Sequence, residues 1–311
     1  MTPCDPETNA MKTSPTLALL ATLALPVAAG DDPCETTANL QRQAALSQLR
    51  ADALTNIAIC KNFSDPKVQD ECLFEARLAY AEELELLGEQ YDARLDLCDL
   101  LGGGIYDPEI DPDDFTDIID NPYLPFPVGA EWEYVSETDE GTETIVVTVL
   151  EERREILGVE CISVRDVVYL EGEPVEDTID WYAQDGDGNV WYFGEISFNY
   201  DDGFVENVEG SWLSGVDGAK PGIVMLGDPM LGITYRQEWL LNEAEDAGTV
   251  TGVGVTVEIG GTSYINCVQT HDFLPPEPDA SETKYYAPGI GFIYETKADS
   301  PETVELVRFS L

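Results

Sequence analysis

The sequence predicts an α+β protein with its classes in separate domains. A disulfide-stapled antiparallel helical hairpin is followed by a duplicated antiparallel all-β domain, as a curved sheet, sandwich or barrel. Three observations carry this. Residues 34–98 hold two apolar stripes at helical spacing, each bounded by cysteines and separated by Ser64-Asp65-Pro66. Beyond residue 121 the pattern changes to alternation of β-branched or aromatic with polar residues, and all five tryptophans lie there. Landmarks in this second region then recur at a nearly constant offset.

The chain opens on a leader pattern. An apolar run, Leu17 to Val27, follows Lys12 and ends in Val27-Ala28-Ala29. It is too short for a hydrocarbon core of about 30 Å, and its small-residue end suits signal peptidase. Residues 1–29 therefore read as an export signal starting at Met11, since Asp5 and Glu7 suit no basic leader start. The next cysteine, Cys34, does not directly follow the small residues, so no lipid anchor is expected, and no later stretch reads as a membrane span. The expected location is secreted or periplasmic.

With Cys4 assigned to the leader region, six cysteines remain and no CxxC occurs. An even number in an exported chain implies disulfides. In the predicted hairpin, residues 30–100, Leu46, Leu49, Ala53, Ile57 and Cys60 form one stripe. Cys72, Ala76, Tyr80, Leu84, Leu87, Tyr91, Leu95 and Cys98 form the other, ended by Gly102-Gly103-Gly104. Cys34 to Cys60 and Cys72 to Cys98 are both 26 residues (60 − 34, 98 − 72). Antiparallel helices of matched length then put Cys60 beside Cys72 at the turn and Cys34 beside Cys98 at the open end, giving two nested bridges. An isolated hairpin has little core, so covalent staples suit it.

Residues 101–121, rich in Asp, Pro and Gly, read as an extended acidic linker. The β domain, 122–311, divides into repeats of about 122–225 and 226–311. Gly129-x-x-Trp132 matches Gly232-x-x-Tyr235, an offset of 103 (232 − 129), and Cys161 matches Cys267, offset 106. Trp181-Tyr182-Ala183 matches Tyr285-Tyr286-Ala287, offset 104. Ten strands are expected, five in each repeat, and Cys161 with Cys267, on equivalent strands, is expected to form the third bridge.

The pattern Pro125-x-x-x-Gly129-x-x-Trp132-x-Tyr134, with Asp180-Trp-Tyr-Ala-Gln-Asp-Gly-Asp-Gly-Asn-Val-Trp-Tyr-Phe-Gly-Glu195, resembles a group of uncharacterised secreted bacterial β-domain proteins over about residues 121–300. The resemblance implies export and domain identity but no chemistry.

Composition narrows function. Asp and Glu number 62 against 15 Lys and Arg, a net charge of −47. Nucleic-acid partners and anionic membrane surfaces need a basic face and are not expected. His271 is the only histidine, and no G-x-S-x-G elbow is present, so triads and histidine-built metal sites lack material. Asp185, Asp187 and Asn189 space oxygen side chains as a calcium loop would, although Val190 and Ile196 stand where an EF-hand needs Gly and Glu. The same residues suit a hairpin turn. Calcium is thus the one candidate cofactor. Trp181, Trp191 and Phe193 are candidates for a groove taking an apolar or sugar ligand, although core packing alone is the favoured reading. The leading expectation is a non-enzymatic exported binding or cell-envelope interaction protein. A carrier of a hydrophobic, lipid-like ligand in the β domain is the alternative, and a carboxylate-based hydrolase stands third.

Overall fold

The computed structural model describes residues 32–298 and 300–311, so the expected export signal lies outside the described residues. Helices α1 (Pro33–Lys61) and α2 (Pro66–Leu101) form the hairpin. Each begins with an aspartate cap followed by proline at its first position, which loses no hydrogen bond there. Asp32 accepts from Cys34 N at 2.8 Å and from Gly104 N at 2.9 Å, tying the start of α1 to the chain just past α2. Gly102, at φ +79°, ends α2 in the left-handed conformation that glycine adopts without strain. Cys34–Cys98 and Cys60–Cys72 are bridged as the spacing requires, with Cα separations of 5.7 and 5.5 Å.

After a single 3-10 turn (Pro112–Asp114) come sixteen strands among the described residues. They are β1 (Phe115–Thr116), β2 (Glu131–Thr138), β3 (Gly141–Ile156), β4 (Val159–Leu170), β5 (Glu173–Asp185), β6 (Val190–Asp201), β7 (Phe204–Asn207) and β8 (Trp212–Leu213). There follow β9 (Lys220–Met225), β10 (Thr234–Arg236), β11 (Glu238–Trp239), β12 (Ala247–Ile259), β13 (Thr262–Leu274), β14 (Glu277–Ala287), β15 (Gly291–Lys297) and β16 (Thr303–Ser310). All pair antiparallel, thirteen of them in the order β10-β12-β13-β14-β15-β16-β2-β3-β4-β5-β6-β9-β11, with β1 beside β5 and with β7 and β8 beside β6. Because β10 and β11 are separated only by Gln237, residues 234–239 pair with β12 on one side and β9 on the other. The sheet is thereby nearly closed into a barrel.

Duplication is visible in the ladders. Gly129 N and Val149 N bond to Val149 O and Ala130 O, and Gly232 N and Val250 N bond in the same way to Val250 O and Ile233 O. The β3–β4 turn, Leu157-Gly158, matches the β12–β13 turn, Gly260-Gly261, with positive φ at all four residues. β16 was not among the expected strands, and it joins the two repeats by pairing with β15 and β2.

Two expectations are corrected. Cys161 and Cys267 are both free and fully buried, not bridged. Equivalent strands of a duplicated barrel are not neighbours. β14, β15, β16, β2 and β3 intervene between β13 and β4, and the two thiols belong to different core clusters. The acidic segment 101–121 is also no solvated linker. Phe115-Thr116 pairs with β5, Ile119 and Asn121 are buried, and Asp117 meets Arg153 at 2.7 Å.

The hairpin docks on the β domain near its open end. Arg94 makes a two-pronged pair with Glu245, at 2.7 and 2.9 Å, with both side chains buried. Gln90 donates to Pro276 O at 2.7 Å.

Candidate functional site

Alternation in the strands sends one set of side chains into the barrel. There they leave a cavity of about 630 Å³. Its walls include Trp132 and Tyr134 of β2, Ile145 and Val147 of β3, Tyr182 of β5, Tyr286 of β14 and Phe292 of β15. These rings are held in place. Trp132 Nε1 donates to Ile290 O at 2.8 Å, Tyr134 Oη to Phe292 O at 3.2 Å, and Tyr182 stacks on Tyr192 with centroids 4.8 Å apart.

Set into this wall are Asp166, Glu176 and Asp180 from the first repeat and Asp272, Glu282 and Glu295 from the second, with Glu195 just outside it, and strand register aligns them. Val164 pairs with Asp180 across β4 and β5, as Thr270 pairs with Lys284 across β13 and β14. Asp166 then corresponds to Asp272, and Asp180 corresponds to Lys284. Across the next ladder Asp180 faces Glu195, as Lys284 faces Glu295. The repeats thus share a framework but differ at one decisive position.

In the second repeat the carboxylates surround a half-buried cation. Lys284 Nζ lies 2.9 Å from Glu282, 3.6 Å from Asp272 and 3.8 Å from Glu295. Burial alone would lower the Lys284 pKa, but Asp272, Glu282 and Glu295 outweigh it and hold the ammonium well above the usual lysine value. Gln237 Nε2 also donates to Asp272 Oδ2 at 2.9 Å, while Asp272 Oδ1, sealed from solvent, has no partner.

In the first repeat no cation stands in that place. Asp180 is buried and accepts from Tyr192 Oη at 2.6 Å. Burial pushes its carboxyl up to about 7, against the pull of the Tyr192 hydrogen bond. Burial and then Asp180 push Glu195 to about 8. Asp166 is raised well above the usual range by burial and by Asp180 and Glu176, and its Oδ1 has no hydrogen-bond partner. Near neutral pH these groups therefore hold protons that an entering cation could displace.

The sequence-selected residues lie elsewhere. Trp181 and Phe193 are buried, and Trp191 packs against them, in a cluster covered by Ile110 and Phe115 of the acidic segment. Phe115 makes edge contacts with Trp191 and Phe193 at 5.9 and 5.6 Å. Phe193 and Trp191 are packed here, while Trp181 also lines a small open cavity of about 270 Å³ with Arg154 and Trp212; the barrel cavity belongs to the alternate residue Tyr182, on the opposite face of the same strand. Asp185, Asp187 and Asn189 build the β5–β6 turn. Asp185 Oδ1 accepts from Asp187 N and Asn189 N, and its Oδ2 accepts from Asn189 Nδ2 and Trp191 Nε1. Asn189 Oδ1 accepts from Gly227 N. Among the described residues no three His, Cys, Asp or Glu side chains converge to hold a metal ion. Asp166, Asp180, Glu195 and Lys284 were missed, although aligning the repeats at offset 104 sets Asp180 against Lys284 (284 − 180).

Comparison adds little to this geometry. No protein-family model matches the chain, and no curated protein matches it. Among solved structures, a candidate lipoprotein from Parabacteroides distasonis is similar at 10% identity with a TM-score of 0.33, over 60% of this chain and 98% of that one. A likeness that slight carries no functional argument. Among the described residues no helix is long and apolar enough to cross a membrane. The two disulfides point to an oxidising, extracytoplasmic setting.

Proposed function

We propose that this chain is a non-enzymatic extracytoplasmic binding protein, secreted or periplasmic, whose barrel encloses a small amphipathic molecule bearing an ammonium group. One observation carries the reading: where the second repeat sets Lys284 among its carboxylates, the first sets Asp180 beside Asp166 and Glu195 and supplies no cation. A ligand ammonium occupying the Lys284-equivalent position would neutralise that cluster. Its apolar part would lie against Trp132, Tyr134 and Tyr182. The cavity size suits a small molecule rather than a polymer.

Calorimetry with hexylammonium and with hexanol tests this. The ammonium should bind at least about tenfold tighter, a difference of roughly 1.4 kcal/mol. Asp180→Lys copies the second repeat and should abolish ammonium binding while the fold is kept. Equal binding of both probes would remove the ammonium claim, and binding of neither would remove the carrier reading as well.

A second reading, envelope interaction through the hairpin, is favoured by the exposed apolar side chains Leu54, Ile59, Phe63 and Phe74 away from the β domain. Leu54→Glu with Phe74→Glu should then reduce envelope association in cell fractionation without changing hexylammonium binding. Unchanged association would discard this reading.

A further inference from the structure

A second cavity, of about 360 Å³, lies between the open end of the hairpin and the β domain. Its lining includes Arg94, Lys220 and Arg236. That concentration is unusual for this chain, where 15 basic residues face 62 acidic ones. Two of the three cations already have anionic partners. Arg94 is bound to Glu245 through two hydrogen bonds, and Lys220 Nζ lies 2.9 Å from Asp107 and donates to Tyr106 O at 2.6 Å.

Arg236 has none. Its side chain is buried at 8% exposure, and its Nε and Nη1 find no hydrogen-bond acceptor. The guanidinium sits 5.5 Å from the centroid of the Tyr106 ring, a cation–π contact that accepts none of its N–H groups. Glu245, the nearby carboxylate, is committed to Arg94 and to Asn242 N. Burial disfavours the Arg236 charge, with Glu245 only partly compensating. An arginine cannot escape this cost by losing its proton, since its ordinary pKa lies above about 12. Uncompensated, such a buried charge is strongly unfavourable. The fork of a guanidinium matches the two oxygens of a carboxylate or phosphate.

We propose that this junction is an oxyanion-binding site in which Arg236 grips the carboxylate or phosphate group of a small ligand, with Lys220 beside it and Trp239 and Leu97 as apolar walls. The site is separate from the barrel interior, and nothing in it depends on the ammonium reading. Its residues come from the hairpin, from the segment after it and from the β domain. An occupied site therefore clamps the hairpin to the barrel, and ligand binding raises the stability of the junction.

The test uses the full protein with sodium benzoate, inorganic phosphate and, as an uncharged control, benzamide, each at millimolar concentration. Thermal unfolding and calorimetry are read for the parent, for Arg236→Met and for Lys220→Met. Benzoate or phosphate should bind saturably and raise Tm, and which of the two does so identifies the source of the oxyanion. Benzamide should do neither. Arg236→Met removes a buried unpaired charge, so its ligand-free Tm should equal or exceed the parent's, while the oxyanion response is lost. Lys220→Met should fold and weaken binding, which keeps the test informative if the arginine variant misfolds. The proposal is overturned if neither oxyanion binds, if benzamide matches benzoate, or if Arg236→Met keeps the full response.

Discussion

Replacing Asp180 by asparagine gives the sharpest test of the barrel interior. The amide keeps the shape and the acceptor for Tyr192 Oη but cannot ionise. The folded Asp180 carboxyl titrates at about 7, against 3.8 for the ordinary side chain, because it is buried. Between those values the folded chain holds a proton that the unfolded chain has released, so stability falls as pH rises. That contribution is fully present below about pH 4 and is lost as pH climbs through 7. The difference of 3.2 units (7 − 3.8), at about 1.36 kcal/mol per unit, is about 4 kcal/mol. Asp180→Asn escapes this loss. It should match the parent near pH 4 and exceed it by about 4 kcal/mol at pH 8. Glu195, pushed to about 8 partly by Asp180, titrates in the same direction and adds to the trend. Urea unfolding followed by tryptophan fluorescence at several pH values reads the difference. A constant gap between pH 5 and 8, or a variant less stable than the parent at pH 8, would refute the burial argument.

Four further outcomes are expected. Arg94→Ala strands Glu245 in the hairpin interface and should cost roughly 3–5 kcal/mol, measured by urea unfolding, whereas Arg94→Met with Glu245→Leu should recover most of it. Cys60→Ser with Cys72→Ser opens the small inner loop, of sequence separation 12, and should cost about 3 kcal/mol in the chain-entropy description. Calorimetry reads that loss as a lower Tm. Alkylation without reductant should label Cys161 and Cys267 only after denaturation, because both are fully buried and burial pushes the Cys161 thiol up to about 12. Millimolar calcium should raise Tm no more than an ionic-strength-matched sodium salt, since both Asp185 oxygens are occupied by donors of their own turn.

Much of the architecture was legible because it rests on local rules. Aspartate-proline caps, the glycine stop and matched cysteine intervals define the hairpin and both of its bridges. The ten strands seen from alternation carry most of the sheet. What escaped was set by closure, which is non-local. β9 begins Lys220-Pro221-Gly222 and reads as a turn, yet it forms part of the seam, where Gly222 leaves no room for a side chain against the backbone of Arg236 and Gln237. The aromatic face stayed ambiguous for a related reason. Trp181 and Tyr182 alternate, so one must face the barrel and the other its exterior, and local pattern cannot say which is covered. Phe115, 66 residues before Trp181 (181 − 115), covers the tryptophan side. The duplication also misled, since equivalence between Cys161 and Cys267 suggested proximity, and a barrel separates what a repeat makes alike.

The segment 234–239 has one more consequence. It holds the barrel shut with three residue pairs on one flank and two on the other, where the β3–β4 ladder has eleven. On the binding function proposed above, this short zip is expected to part first and let a ligand pass while the long ladders stay intact. Amide hydrogens of Tyr235 and Trp239 should exchange with deuterium well before those of Val164 and Val167, and a cross-link pinning the strip to β12 should slow the release of an enclosed guest without altering its affinity. Equal exchange rates along both ladders would leave the barrel without an identified way in.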